Sequence, residues 1–371
     1  MYDYLIVGAG YSGVVLAERL TNELNKKVIL VDKRKHIAGN AYDYYNDEGI
    51  LIHKYGPHIF HTNSKKVWEY LSRFTDWYYY SHKVKAVIEG NPVTLPFNLN
   101  SLYEVFPKNE AAKLEELLLK HFDYNEKIPI LKLKELDNPD LQFLANFIYE
   151  NIFLNYTKKQ WDFTPEELDP SVTARVPVFI SRDDRYFQDT YQALPLNGYT
   201  KMFEKMLNHK NIHLLLNVDY REAIDYIKFD KMIFTGPIDE FFDSQFGSLP
   251  YRNVYFDLKT LNQETYFHGA GSHNFPNDYN YTRITEYKTL TGQKHPKTTL
   301  ATEYSTLYVP HVNEPYYPIP QEKNTLLYNK YLEESKKLNS VLFCGRLADY
   351  KYYNMDQIVA RALTVFEKQI V

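Results

Sequence analysis

The chain has 371 residues, more than one hydrophobic core usually organises, so two or three packed subdomains are expected. Its 44% hydrophobic and 24% charged residues are those of a soluble globular protein, and a net charge of −4 argues against a nucleic-acid or anionic-membrane partner. Cys344 is the only cysteine, which excludes an internal disulfide and a clustered Cys/His metal site and suits a reducing compartment. The N-terminus enters a strand pattern at once, and no run approaches the roughly 18 apolar residues of a membrane span, so the expectation is a cytoplasmic protein.

In chain order, Tyr4-Leu5-Ile6-Val7 is a short apolar strand running into Gly8-Ala9-Gly10-Tyr11-Ser12-Gly13. Val14, Ala17, Leu20 and Leu24 then recur at helical spacing, and Val28-Ile29-Leu30-Val31 makes a second strand ending at Asp32. Gly-x-Gly-x-x-Gly alone is a weak signal, but here a strand precedes it, a helix follows it, and an acid stands 19 residues beyond the last glycine. The first glycine permits the tight turn, the second lets the backbone approach a pyrophosphate, and the third lets helix and strand pack closely. The helix start offers N–H groups to the anion, and Asp32 stands where a carboxylate accepts ribose hydroxyls.

Val84 to Leu95 alternates around the turn Gly90-Asn91 and reads as a hairpin. From about Asn100 to Trp161 the pattern is helical, with Leu114, Leu117 and Leu118 on one stripe and Leu144, Phe147, Ile148 and Ile152 on another behind Asn138-Pro139-Asp140. Arg175 to Ile180, Val254 to Leu258 and Thr298 to Tyr308 carry the β-branched and aromatic runs of strands. Ile212 to Leu216, Lys231 to Gly236 and Val341 to Gly345 read as further strands of the first sheet, and Asp356 to Gln369 as a closing helix.

The expected fold class is therefore α/β: a Rossmann-like nucleotide-binding domain with an inserted helical subdomain and an antiparallel β-sheet subdomain. The nucleotide-binding domain is expected from 1–83, 206–245 and 323–371. The sheet subdomain falls at 84–99 and 246–322, the helical substrate subdomain at 100–165, and a mobile loop with more sheet at 166–205. Tyrosine is over-used, with 35 copies against 22 phenylalanines and 3 tryptophans. About two-thirds of the tyrosines are assigned to packing, and the rest offer a ring with a polar tip for bases, sugars and phosphates. There is no phosphate loop ending in Gly-Lys-Ser/Thr and no Gly-x-Ser-x-Gly nucleophile elbow.

The opening unit does not separate nicotinamide from flavin dinucleotides; the residues beyond it do. Ala38-Gly39-Asn40-Ala41, and the last strand with Gly345-Arg346, resemble the flavin-binding pattern of the amine oxidase and mutase superfamily. Lys54-Tyr55-Gly56-Pro57-His58-Ile59-Phe60-His61-Thr62, Asn155-Tyr156-Thr157-Lys158-Lys159-Gln160-Trp161, Arg185-Tyr186-Phe187, Glu314-Pro315-Tyr316-Tyr317-Pro318 and Gly345-Arg346-Leu347 resemble, in order, the UDP-galactopyranose mutase family.

That resemblance implies FAD, active when reduced, and a UDP-hexose substrate in a homodimer that inserts into no membrane. The implied reaction interconverts UDP-galactopyranose and UDP-galactofuranose through a flavin N5–sugar adduct with no net redox change. It implies cofactor contacts from Gly8, Gly10, Tyr11, Ser12, Gly13, Asp32, Lys33, Gly39, Asn40, His58, Ile59, Val218, Arg346, Met355, Gln357 and Ile358. It assigns Phe153, Tyr156, Thr157 and Trp161 to the nucleoside end, and Tyr186, Asn274, Tyr317, Tyr352 and Asn354, with His82 as a further candidate, to phosphates and sugar. Arg175 and Arg283, which pair with the diphosphate, and His58 are the implied catalytic residues; no metal is implied.

Two departures from the family stand out. Ala38-Gly39 replaces a pair of glycines, and Asn354 stands where some members carry aspartate. Asn354-x-x-Gln357 is also a helix-capping pattern, and a neutral amide cannot serve as a general base. Three alternatives stay open. One is the same chemistry on UDP-N-acetylgalactosamine, another an FAD-dependent amine-oxidase-like oxidoreductase, and the third a flavin module without catalysis. Turnover of UDP-galactofuranose by reduced protein separates the mutase from the last two.

Overall fold

The computed structural model describes residues 1–371, the side chain of Ser171 excepted. The chain forms two compact units, one from 1–79, 189–253 and 307–371 and the other from 80–188 and 254–306.

The first unit is built on a parallel sheet of five strands in the order Ile212–Leu216, Val28–Asp32, Tyr2–Val7, Phe229–Phe234, Val341–Phe343. Alternate side chains serve two apolar layers. Ile6, Leu30 and Ile233 face a cluster with Val14, Ala17 and Leu20 of the helix Tyr11–Leu24 and Val359, Ala362 and Leu363 of the helix Met355–Val365. Leu5, Ile29, Val31, Met232 and Phe234 face the other layer. Strands apolar on both faces are what a parallel sheet covered on both sides requires. Each wholly buried side chain, such as Leu5, Ile6 and Leu30, contributes about 1.5–3 kcal/mol.

The second unit packs the helices Leu99–Val105, Lys108–His121, Ile130–Lys134 and Pro139–Ile148 around Leu114, Leu118, Leu141, Leu144 and Ile148, all fully or almost fully buried. Val84–Ile88 and Asn91–Leu95 form the expected hairpin. Ser272–Asn274 joins the hairpin in parallel but pairs antiparallel with Arg283–Glu286, which corrects the wholly antiparallel sheet to a mixed one. Its two parallel strands are separated by the long helical insertion, so no tight turn dictates an antiparallel pairing. The run from Arg175 to Ile180 is corrected too. Pro170–Thr173 is a short helix, Arg175 lies in the turn after it, and only Val178–Phe179 is strand. Pro177, with no N–H to donate, keeps the strand from starting earlier.

Candidate active site

A cavity of about 590 Å³ opens at the carboxyl ends of the parallel strands in the first unit, where the strands ending at Val7, Asp32 and Phe234 stop. Gly8, Gly10, Tyr11 and Ser12 form one wall, Asp32, Lys33, Gly39 and Asn40 another, and His58, Arg346, Met355 and Ile358 close it. Gly8 has φ +104°, and a Cβ there would lie 2.1 Å from Thr235 Oγ1, so only glycine makes this turn. Ala38 is held at φ +70° with its methyl buried, so the departure from paired glycines places an alanine in the left-handed region.

These residues fit a dinucleotide. The helix Tyr11–Leu24 starts at Gly10 with no side-chain cap, which leaves its first N–H groups to an anion. Asp32 is held by two backbone amides, Oδ2 accepting from Ala9 at 2.8 Å and Oδ1 from Arg34 at 2.8 Å. Among the described residues the buried Tyr11 hydroxyl has no hydrogen-bond partner.

Four expected contacts lie elsewhere. Gly13 serves packing, because a Cβ on it would meet Gly8 O at 2.0 Å. Ile59 is buried outside the cavity wall. Val218 packs its side chain into the apolar layer with Leu5 and Val31, and Asp219, Tyr220 and Arg221 take its place at the wall. Gln357 is exposed and its Oε1 accepts the Asn354 N–H at 2.9 Å, so its side chain is spent on the helix cap. The residues missed at the wall include Thr235, Glu240, Tyr316, Arg34 and Glu314. Of these, the position of Arg34 just past Asp32 and the Glu314-Pro315 motif were the available signals.

His58 is clamped by its backbone. Its N–H donates to His53 Nδ1 at 3.0 Å and its carbonyl accepts from Tyr199 OH at 3.1 Å. His58 Nδ1 lies 2.6 Å from Gly56 O, and a carbonyl only accepts, so this nitrogen carries a proton, which leaves Nε2 as the acceptor whenever the ring is neutral. His53 is an acceptor at Nδ1, and its burial pushes it down to about 4 from 6.5.

A histidine with a lowered folded pKa takes up protons first in the unfolded chain, so its stability contribution is whole at pH 7 and falls as pH drops from 6.5 towards 4. Between pH 7 and pH 5 the first unit should lose about 2 kcal/mol through His53, at 1.36 kcal/mol per pKa unit. His273, stacked 3.8 Å from Phe267 and also pushed down to about 4, adds the same dependence to the second unit. Denaturant unfolding at the two pH values measures this. His53→Asn, whose Oδ1 replaces the Nδ1 acceptor, should remove the His53 share, and an unchanged pH slope would refute the assignment.

Also in the first unit, Arg346 donates from Nη2 to Tyr353 O at 2.7 Å, and its guanidinium lies 5.3 Å from the Tyr317 ring and 5.9 Å from the Tyr352 ring. The two rings meet edge-on at 4.9 Å, so these three expected site residues are neighbours, with Asn354 at the start of the next helix.

In the second unit Pro139–Ile148 runs on through a π-helical turn, Tyr149–Leu154, into the helix Asn155–Trp161. Phe153 lies in that turn, and Tyr156, Thr157 and Trp161 follow on the helix; widened turns of this kind often occur at functional sites. Lys159 Nζ donates to Phe275 O at 2.7 Å, tying the helix to the segment leading to Arg283. Asn274 and Arg283 are paired across adjacent strands. Arg283 Nε lies 2.9 Å from Glu303 Oε2, while Glu303 Oε1 accepts from Thr282 Oγ1 at 2.9 Å. The buried Asn274 Oδ1 has no hydrogen-bond partner among the described residues. His82 is buried, its carbonyl accepting from Tyr186 N at 2.7 Å and its ring edge-on to Tyr186. Arg175 is exposed in its turn. Among the described residues no group of three or more His, Cys, Asp or Glu side chains could hold a metal, and no helix is long and apolar enough to cross a membrane.

Comparison with known proteins identifies the family and the fold. The family model described as UDP-galactopyranose mutase matches residues 151–352, and one described as an NAD(P)-binding Rossmann-like domain matches residues 6–74. The chain is 35% identical to a probable UDP-galactopyranose mutase of Klebsiella pneumoniae, over 97% of this chain and 93% of the relative. It is 36% identical to the UDP-galactopyranose mutase of Mycoplasma genitalium, over 96% and 92%. It is 34% identical to the dTDP-fucopyranose mutase of Escherichia coli, over 98% and 97%. A solved structure of reduced UDP-galactopyranose mutase superimposes with a TM-score of 0.74 at 15% identity, covering 100% of this chain and 94% of that one, which shows the shared fold. With relatives this similar along nearly all of its length, and a family match over more than half of it, the chain belongs to the UDP-galactopyranose mutase family.

Proposed function

We propose that this chain is a UDP-galactopyranose mutase that binds FAD in the glycine-lined cavity and reversibly contracts the sugar ring of UDP-galactopyranose. One observation carries the reading: a member of this family combines an uncapped, glycine-walled dinucleotide cavity with an arginine, Arg283, ion-paired with a buried glutamate. Bound and reduced, FAD would supply a nucleophilic nitrogen for the anomeric carbon and would be regained in its reduced form, so that no reductant is consumed.

The chain's own residues bind, orient and place charge. Phe153, Tyr156, Thr157 and Trp161 take the nucleoside, where aromatic faces suit a base. Arg175 and Arg283 take the diphosphate, whose negative charge grows as it leaves the sugar. Tyr186, Tyr317, Tyr352, His82, Asn274 and Asn354 offer donors and acceptors to phosphates and hydroxyls. In this reading the unmatched Asn274 Oδ1 finds its donor in the substrate. Asn354 lends its position to the helix start and no proton. His58, with Nε2 an acceptor whenever the ring is neutral, faces the cofactor cavity. Cytoplasmic localisation and a homodimer belong to the same proposal; the single, buried thiol of Cys344 suits a reducing compartment.

The deciding experiment incubates dithionite-reduced protein with UDP-galactofuranose and follows UDP-galactopyranose by chromatography. Conversion without stoichiometric loss of reductant, and none by oxidised protein, is the expected result. Equal turnover by oxidised protein would reject the reading. Because the E. coli relative is a dTDP-fucopyranose mutase of similar identity, the dTDP-fucose pair is run alongside, and a higher kcat/KM there would move the substrate assignment.

A further inference from the structure

The cofactor cavity is crossed by an ion pair that neither glycine motif nor helix spacing announces. Arg34 and Glu314 both line it, and Arg34 Nη2 lies 2.9 Å from Glu314 Oε2 with their side chains 15% and 36% exposed. Arg34 is held on its other faces: Nη1 donates to Asn40 Oδ1 at 2.9 Å, and the guanidinium lies 4.5 Å from the centre of the Tyr55 ring. Tyr55 is fixed in turn by its hydroxyl, 2.7 Å from His36 Nε2. The arginine is thus a rigid post.

Glu314 sits on an irregular segment whose backbone is tied within the first unit, the Glu314 N–H donating to Asn253 Oδ1 at 3.3 Å and Val309 N to Asn313 Oδ1 at 2.8 Å. Tyr308 OH donates to Glu240 Oε1 at 2.7 Å at one end, and Tyr316 N donates to Arg252 O at 2.8 Å at the other. Between them Val309 and Val312 are 47% and 76% exposed, so little burial holds the middle of the segment down. The Arg34 bridge joins the Glu314 side chain to the stretch that follows Asp32 in the same cavity lining. Although burial opposes its charge, the Arg34 guanidinium holds the Glu314 carboxyl below its usual range.

We propose that Arg34 and Glu314 form a latch that retains the cofactor, closing the segment 308–316 over the dinucleotide and opening to let it leave. This rests on the reading of the cavity as an FAD site. The planar guanidinium gives the latch a defined geometry, which a lysine would lack.

The test uses purified holoenzyme and measures FAD release by the recovery of flavin fluorescence on dilution, with no turnover involved. Arg34→Gln and Glu314→Gln should each speed release about ten-fold, the scale of one lost partly buried charge pair. The double variant should release no faster than the faster single, because either change already opens the latch. The exchange Arg34→Glu with Glu314→Arg should recover part of the retention. Raising salt from about 0.05 M to about 0.5 M should speed release from the wild type and barely affect the variants. Glu314→Gln lies on an exposed segment and keeps the test available should Arg34→Gln fold poorly. If wild type holds FAD and the variants release it at the wild-type rate, or if the two effects simply multiply, the latch is wrong and the flavin reading stands. If the wild type takes up no FAD at all, the flavin reading is overturned and the latch with it.

Discussion

Arg283→Ala should lower kcat/KM for UDP-galactofuranose by roughly ten- to two-hundred-fold, since a charge-assisted bond is worth about 1.5–3 kcal/mol and each 1.36 kcal/mol is a factor of ten. FAD should stay bound, because Arg283 belongs to the second unit and the cavity wall to the first. The variant should also be less stable, by about 1–3 kcal/mol, because Glu303 is 4% exposed and would keep only Thr282 of these two partners. Arg175→Ala, at an exposed position in a turn, should show the same loss of activity. Lysine at either position should recover only part, as a point charge cannot reproduce the planar fork. Steady-state kinetics, flavin absorbance and denaturant midpoints give the three readouts. Near-normal kcat/KM in both alanine variants would mean that the diphosphate is held elsewhere, and loss of FAD would assign the arginines to the cofactor.

The parts of this protein that were legible from sequence are those written in local spacing. Gly8, Gly10 and Gly13 between an apolar strand and a helix place the turn, and the structure adds why Gly8 and Gly13 admit no side chain. Asn354 and Gln357 read as a cap three residues apart, and the 2.9 Å bond between them is found. What was not legible depends on long-range meetings. Arg34 and Glu314 stand 280 residues apart, and no periodicity links them. The parallel pairing of Ser272–Asn274 with Val84–Ile88 is set by a crossover through a whole helical insertion. Val218 lies past the end of the strand Ile212–Leu216 and turns its side chain into the apolar layer, while Asp219, Tyr220 and Arg221 line the cavity, and no local pattern distinguishes these neighbours. The π-helical turn at Tyr149–Leu154 likewise inserts a residue into a stripe that otherwise reads as plain helix.

Gly13→Ala should prevent isolation of folded holoprotein, although helix propensity argues the other way. Alanine is favoured over glycine inside a helix by about 1 kcal/mol. Against that, a Cβ at Gly13 would stand 2.0 Å from Gly8 O and 3.1 Å from Ile6 Cγ2. The first is a backbone atom of the turn itself, so relief requires moving the helix Tyr11–Leu24 off the strand and opening the apolar layer of Val14, Ala17 and Leu20. Overpacking of a core alone costs about 1–3 kcal/mol, and a backbone clash that separates two elements exceeds it, so the clash outweighs propensity. Gly10→Ala is the informative companion. Its Cβ would meet Gly39 Cα at 3.7 Å, an ordinary contact, so the protein should fold with its melting temperature nearly unchanged. The new methyl would nevertheless stand at the cavity wall where the helix N–H groups open, and FAD should bind at least about ten-fold more weakly through lost anion contact. Circular dichroism melts and flavin titration of the two variants separate the roles: Gly13 as packing, Gly10 as access. A Gly13→Ala protein that melts like wild type would mean that the helix lies further from the turn than a 2.0 Å separation of Cβ and Gly8 O implies. A Gly10→Ala protein that binds FAD as tightly as wild type would remove the pyrophosphate from the helix start, and with it the orientation of the dinucleotide in the cavity.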